Sequence, residues 1–512
     1  MSSLEARISA EPRESGRRRP ADVGLVAGPL AAVAVYLVLP ESYVASGESV
    51  AFGHAGRATG AIGVWMAIWW MTEAISLYAT ALLPLVLLPL CGVLGMHETA
   101  APYAHELIFL FMGGFVLALS MQRWGLDRRL SLHALRLFGT RPDAVVAGFM
   151  CVTAGLSMWV SNTATCVMML PIALGVIRAI DTRPGDDGSE GRVASPFAVC
   201  LLLGVAYAAS IGGVGTLVGT PPNLFLASYA KSHLGVEISF ARWMGVGLPI
   251  VLLFLPVTWL LLTRVLFALP RQRVDGAREQ LDEELRLLGA MSRGEWASLV
   301  VFASTALAWM TRPWLIQIEI VGRRPLAGLT DPGIAMTAAL ILFVIPVGEG
   351  RRRFAMDWPT ASRLPWGLLL LFGGGLSLAQ AIRTNGLGEY IGHAFTFLGA
   401  VPEWFCVLAV VSVMVFLTEI TSNTATAASL IPILGGIAPA MGVEPLLLVV
   451  PAAVAASCAF MLPVATPPNA VVFGSGMIRL PQMVRAGLGL NLLGIVLITG
   501  LCYVLTLRVL GL

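Results

Sequence analysis

The chain has 512 residues, 57% hydrophobic and only 12% charged, with a mean hydropathy of +0.81 and a formal net charge of +3. A soluble protein of this length exposes far more charge than 12% supplies, so a water-soluble fold is excluded and no nucleic-acid partner is expected. The ten-residue alternation of an outer-membrane barrel is also absent, which leaves a polytopic membrane protein made of helices.

In chain order, "PRESGRRRP" precedes the first apolar run, Val23–Leu39, with no small-residue cleavage site after it, so an uncleaved first span is expected. Ala58–Tyr78 follows, leading into "TEAISLYATALLP" (Thr72–Pro84), which reads as helix–turn–helix. Leu107–Leu119 carries the pair Gly113-Gly114, a place for close helix contact. Asp143–Ile177 holds "SNTAT" at Ser161–Thr165, and the polar stretch "DTRPGDDGSEGRVAS" (Asp181–Ser195) reads as a solvated loop. "GTPPN" at Gly219–Asn223 interrupts the next apolar segment, before the span Val246–Phe267.

After a polar linker come the span Ala335–Val347 and a second glycine cluster, Gly373-Gly374-Gly375. Pro402–Pro439 repeats "SNTAT" at Ser422–Thr426, "TPPN" returns at Thr466–Asn469, and Gly487–Leu510 closes the chain. The seven cysteines lie scattered in apolar segments without metal-ligand or redox spacing and read as packing residues. His54, His97, His105, His133, His233 and His393 fall near span ends or loops and receive no site role.

Three landmarks recur in one order. "FMGGFVLALSMQRWGL" (Phe111–Leu126) matches "LFGGGLSLAQAIRTNGL" (Leu371–Leu387), the SNTAT copies lie 261 residues apart and the TPPN copies 246 apart. The chain therefore reads as an internal duplication with an extra loop in its first half. Basic clusters at the N-terminus, Arg123–Arg141, Arg178–Arg192, Arg271–Arg293 and Arg351–Arg353 mark the cytoplasmic face. Asp143–Ile177 then begins and ends inside, about right for a re-entrant hairpin of two half-spans with the polar motif at its tip. An odd number of crossings before Pro402–Pro439 makes the second hairpin enter from outside, an inverted-topology repeat of the kind that builds secondary transporters.

The motifs suit that role. Pro221, Pro222, Pro467 and Pro468 remove backbone donors and fix φ, so the helix unwinds at each TPPN and frees carbonyl oxygens and half-helix ends at membrane depth. Ser, Asn and Thr side chains can donate to a carboxylate and also offer oxygen to sodium. No charged residue lies between Ala198 and Ala230 or between Leu446 and Ile478, and the hairpins contain only Asp143, Glu403 and Glu419. Desolvating a dianion costs several kcal/mol per charge, and with no arginine or lysine placed to offset that cost, bound cations are the remaining source of positive charge. Glu419 reads either as a structural partner for freed backbone N–H groups or as a functional residue. An intramembrane enzyme is not expected, since the motif spans contain no histidine or lysine and no two carboxylates spaced to pair on one helix. A channel fits poorly, because paired re-entrant tips describe an occluded site.

"SMWVSNTATCVMMLP", "GGVGTLVGTPPN", "TEITSNTATAASLIPILGGIAP" and "LPVATPPNAVVFGSG", with "TEAISLYATALLP" near the front, resemble the divalent anion/sodium symporter family, the INDY-like dicarboxylate transporters. The likeness spans nearly the whole chain after the N-terminal tail. It implies an all-α fold of about 11 transmembrane helices with two re-entrant hairpins and two broken helices, working as an elevator-type homodimer in the lipid bilayer of the inner membrane. Residues 1–21 would form a cytoplasmic tail, 22–141 and 296–401 the scaffold, 142–270 and 402–512 the transport domain, and 271–295 a cytoplasmic linker. The resemblance puts one sodium at Ser157, Ser161, Asn162 and the backbone of Gly219, and another at Thr418, Ser422, Asn423 and the backbone of Ala465. Substrate carboxylates would meet Asn162, Thr163, Ser422, Asn423 and Thr424, with Thr466, Pro467, Thr220 and Pro221 closing the pocket. The expected activity is sodium-coupled symport of C4 dicarboxylates (succinate, malate, fumarate). A dicarboxylate exchanger of the same fold, or citrate or sulfate transport, is the alternative.

Overall fold

Six helices among the described residues are long and apolar enough to cross a bilayer: Pro20–Val38, Met96–Trp124, Pro196–Gly213, Phe240–Leu266, Trp366–Thr384 and Leu480–Val509. The structure, a computed structural model, describes residues 18–45, 48–139, 141–181, 195–267, 269, 277–320, 322–348, 353–394 and 401–510. The N-terminal basic run up to 17, most of the 181–195 loop and the basic stretches 271–276 and 349–352 lie outside these residues. Seven further apolar helices among the described residues run only 10–17 residues, too short to span, as re-entrant hairpins and interrupted helices require.

Each hairpin forms where the repeats place it. Helix Pro142–Ser157 turns at Met158–Ser161 into helix Asn162–Asp181, and helix Glu403–Thr418 turns at Glu419–Ser422 into helix Asn423–Ile437. Each TPPN motif splits a helix. Pro196–Gly213 resumes at Pro221–Tyr229, and Pro445–Ala456 resumes at Pro467–Phe473, with proline at the first turn of each restart, where its missing N–H is harmless. The two upstream halves are buried along nearly their whole length, so these breaks lie at the centre of the molecule.

The glycine clusters allow close approach between helices. A Cβ on Gly374 would lie 2.3 Å from the Ala81 carbonyl oxygen, and one on Gly113 would lie 2.6 Å from the Ala335 backbone. The repeated glycine helices run in opposite senses. His105, just before the first residue of Glu106–Trp124, and Arg383, in the last turn of Trp366–Thr384, line one cavity at the same end of the molecule.

Two features depart from the sequence reading. A two-stranded antiparallel hairpin pairs Ser42–Ala45 with Glu48–Ala51, an addition to an otherwise helical chain. The run 271–295, read as a linker, contains the helix Ala277–Leu288, which packs on helix Leu126–Leu135 through Arg128–Glu284 and Arg136–Asp282 ion pairs. Beside it, Arg129 reaches Glu295 at 2.5 Å and the Gly289 carbonyl at 2.9 Å. Opposite charges separated by more than 140 residues of sequence make that segment a docked element; local pattern alone shows only its polarity.

Candidate functional site

The TPPN asparagines hold the breaks open in a fixed shape. Asn223 Nδ2 donates to the carbonyls of Gly213 (3.1 Å), Val214 (3.3 Å) and Thr216 (2.8 Å). Asn469 Nδ2 donates to Ala459 (3.2 Å) and Leu462 (3.0 Å), the positions that correspond to Gly213 and Thr216 under the 246-residue repeat. An unwound segment frees carbonyls that must find donors at membrane depth, and one side-chain amide serves several of them in each half. Both asparagines are fully buried, and each leaves its Oδ1 without a partner among the described residues.

The two halves satisfy the rest of each break differently. In the first, Thr216 Oγ1 donates to the Met158 carbonyl at the hairpin tip and accepts from Gly219 N at 3.1 Å, while Trp243 Nε1 donates to Val214 O at 2.9 Å. In the second, the Glu419 carboxylate takes on that task. It accepts from Phe460 N (2.7 Å), Met461 N (2.9 Å), Leu462 N (3.1 Å) and Asn491 Nδ2 (2.7 Å). Glu419 is 4% exposed and has no cationic partner among the described residues, so it is the structural clamp of the second tip. The repeat puts Met158 at the position of Glu419.

At each tip a hydroxyl, an amide and a carbonyl converge. Ser157 Oγ lies 2.6 Å from Asn162 Oδ1 and 2.7 Å from the Ala209 carbonyl. Thr418 Oγ1 lies 2.6 Å from Asn423 Oδ1 and 2.9 Å from the Ala456 carbonyl. A hydroxyl has one hydrogen and cannot serve two acceptors, so each trio has more lone pairs than protons. There are two ways out. One is to turn the amide, which lets the Asn162 nitrogen donate to Ser157 Oγ (2.6 Å), Ala209 O (3.2 Å) and Gly219 O (3.3 Å). The other is a hard cation among the oxygens, the chemistry that sodium requires. Gly213 allows the approach, since a Cβ there would stand 2.6 Å from Asn162 Oδ1.

The remaining candidates lie around these trios. Ser157 and Thr418 are fully buried, Asn162, Asn423 and Ser422 half-buried, Ser161 and Thr163 exposed, and Thr424 and Ala465 buried. Ser161 Oγ caps its own helix by accepting from Ala164 N at 3.3 Å, whereas Ser422 makes no such cap. Thr466 accepts from Asn469 N at 3.3 Å, and Thr220 Oγ1 meets Ser457 Oγ at 3.4 Å, joining the first TPPN to the second break. Pro221 is half-buried and Pro467 exposed. Among the described residues no hydrogen bond joins the tips to each other, nor Ala465 to Thr418 or Asn423. The halves meet instead by exchange. The first hairpin's Asn162–Asp181 packs on Pro467–Phe473, where Cys166 Sγ donates to Pro468 O at 3.6 Å, and the second hairpin's Asn423–Ile437 packs on Pro221–Tyr229. Asn223, Asn469, Thr216, Trp243 and Asn491 were absent from the sequence-derived site; the terminal asparagine shared by both TPPN copies was the one signal for the first two.

A sequence profile for the sodium:sulfate symporter transmembrane region matches residues 29–510. The sodium-dependent dicarboxylate transporter SdcS of Staphylococcus saprophyticus is 42% identical over 492 residues, covering 96% of this chain and 92% of that protein. Its namesake in Staphylococcus aureus (strain USA300) is 41% identical over 452 residues, covering 88% and 86%. Among solved structures, the Alcanivorax borkumensis YdaH transporter aligns over 95% of this chain and 97% of its own with a TM-score of 0.57, at 13% identity, a likeness of fold.

Proposed function

The chain belongs to the sodium:sulfate symporter family, and on that premise we propose that it carries C4 dicarboxylates such as succinate, malate and fumarate across the cytoplasmic membrane together with sodium ions. The observation that supports this best is the pair of matched hydroxyl–amide–carbonyl trios, Ser157–Asn162–Ala209 and Thr418–Asn423–Ala456, set at the two hairpin tips with no cationic partner among the described residues. One sodium lies at each trio, with Ser161 and the Gly219 carbonyl completing the first shell and Ser422 and the Ala465 carbonyl the second. The amide nitrogens of Asn162 and Asn423, with Thr163 and Thr424, then face the carboxylates, and Thr220, Pro221, Thr466 and Pro467 bound the pocket. Sodium supplies the charge that the site lacks, so the dianion settles only after the cations. The names of the two staphylococcal relatives state sodium dependence and dicarboxylates, which supports the coupled ion and the substrate class.

Residues 142–270 and 402–512 form the moving unit, residues 22–141 and 296–401 the scaffold and dimer contact, and the basic N-terminus stays in the cytoplasm. The loaded unit slides, and sodium without substrate leaves it in place. Purified protein in proteoliposomes tests this reading. An inward sodium gradient drives concentrative uptake of labelled succinate, and choline in its place does not. Undiminished succinate counterflow without sodium would overturn symport in favour of exchange, and stronger competition by citrate or sulfate than by malate would overturn the substrate class.

A further inference from the structure

Arg123 and Arg383 occupy the same position in the two repeated glycine helices, 260 residues apart, and their surroundings differ. Arg123 is neutralised by Asp357 at 2.6 Å, and Thr360 and Arg123 together hold that carboxyl below its usual range. Arg383 is exposed and has no carboxylate partner among the described residues. It lines a cavity of about 230 Å³ with His105, Ser232, His233, Gln380 and Leu376, and no acidic side chain lines that cavity.

The other cavity groups are arranged as donors. His105 Nδ1 accepts from Leu107 N at 3.3 Å, so the ring proton sits on Nε2, 2.9 Å from Ser232 Oγ. That contact occupies one of the two Ser232 lone pairs and leaves its hydroxyl hydrogen to point elsewhere. Ser232 and His233 are presented by a π-helical turn, Ala230–Leu234, that extends the helix begun at the first TPPN. The nearest acid, Glu106, is already engaged by Lys231. An uncompensated guanidinium beside a hydroxyl, an imidazole and an amide, in a space large enough for a four-carbon diacid, is the donor set of an anion site.

The cavity lies at one end of the two glycine helices, beside the start of Glu106–Trp124 and the last turn of Trp366–Thr384. His105 and Arg123 bracket the helix Glu106–Trp124, so Arg383, which shares its cavity with His105, and Arg123 stand at opposite ends of that helix, about 25 Å apart along its axis at 1.5 Å per residue. Arg123 lies with Arg128, Arg129 and Arg136 on the arginine-rich face, which the positive-inside rule puts in the cytoplasm.

We propose that the Arg383 cavity, between the first glycine helix, the second glycine helix and the restarted helix of the first half, is a docking site on the outer face for a dianion of dicarboxylate size. It captures the anion by charge before the anion reaches the hairpin tips, and its neutralised twin at Arg123 leaves the inner face without an equivalent trap. This inference rests on the transport reading for its role in uptake and on the cavity alone for binding.

The test therefore has two readouts. In sodium-free choline buffer the tips do not hold the anion, so calorimetric binding of succinate or sulfate to purified protein reports the cavity. Wild type binds and Arg383→Gln does not. Binding of succinate alone assigns the cavity to the substrate, binding of both assigns it to dianions generally, and binding of neither overturns the site. In intact cells Arg383→Gln raises the KM for succinate about tenfold, the low end of electrostatic focusing, with the maximal rate kept. In everted vesicles the KM is unchanged. A rise of equal size from both faces, or none from outside, overturns the role in capture. Gln380→Glu, which gives Arg383 the partner that Arg123 already has, reproduces the outer KM rise without removing the guanidinium, and Arg383→Lys restores the wild-type value. If wild type binds the anion but transports no succinate, the transport reading fails and the site stands.

Discussion

Replacing Glu419 tests how the second hairpin tip is held. The carboxylate serves four buried donors, Phe460 N, Met461 N, Leu462 N and Asn491 Nδ2, at 2.7–3.1 Å. In Glu419→Ala these donors are stranded at a position only 4% exposed. An unsatisfied buried donor costs about 1–3 kcal/mol, so the four together cost about 4–12 kcal/mol, the size of a whole protein's net stability. Glu419→Gln is milder. Its amide oxygen can keep the Oε1 contacts with Phe460, Met461 and Asn491, while its NH2 faces the Leu462 N–H and forfeits one charge-assisted bond, about 1.5–3 kcal/mol. The assay is the fraction of monodisperse protein left in detergent after heating to graded temperatures, followed by succinate uptake of what survives. The alanine variant should lose its folded peak at any temperature. The glutamine variant should melt earlier than wild type and keep measurable uptake. An alanine variant that melts with wild type would refute the clamp and return Glu419 to a role in the transport cycle.

Asn162→Ala and Asn423→Ala should each abolish sodium-driven uptake while the protein still inserts and folds; wild-type uptake in either would place the site elsewhere. Ser157→Ala and Thr418→Val, which remove the hydroxyl beside each amide, should cost about 10–100-fold in apparent sodium affinity, read as the sodium concentration for half-maximal uptake. Gly213→Ala sets a methyl 2.6 Å from Asn162 Oδ1 and should weaken sodium dependence through the first site alone, so its sodium curve loses steepness before its maximal rate falls. Asn469→Leu strands the carbonyls of Ala459 and Leu462 and should lower the melting midpoint, with Asn223→Leu doing more harm because that amide serves three carbonyls.

Local chemistry determined a good deal by itself. Apolar runs of bilayer length, the tandem prolines, and polar clusters repeated at fixed offsets are properties of neighbouring residues. They placed the hairpins, both helix breaks and the duplicated plan, because two successive prolines lack backbone donors that a continuing helix needs and fit the first turn of a new one. Glu419 marks the limit of that reading. Its sequence position showed a lone carboxylate near a tip, and only the fold brought Phe460–Leu462 and Asn491 to it. The same holds for Arg383. In the sequence it and Arg123 are matched residues; the tertiary structure gave Asp357 to one and left the other beside His105 and Ser232, more than a hundred residues away along the chain. Partnership between distant charges depends on which helix ends are packed together, and packing is a property of the assembled bundle that no single segment carries.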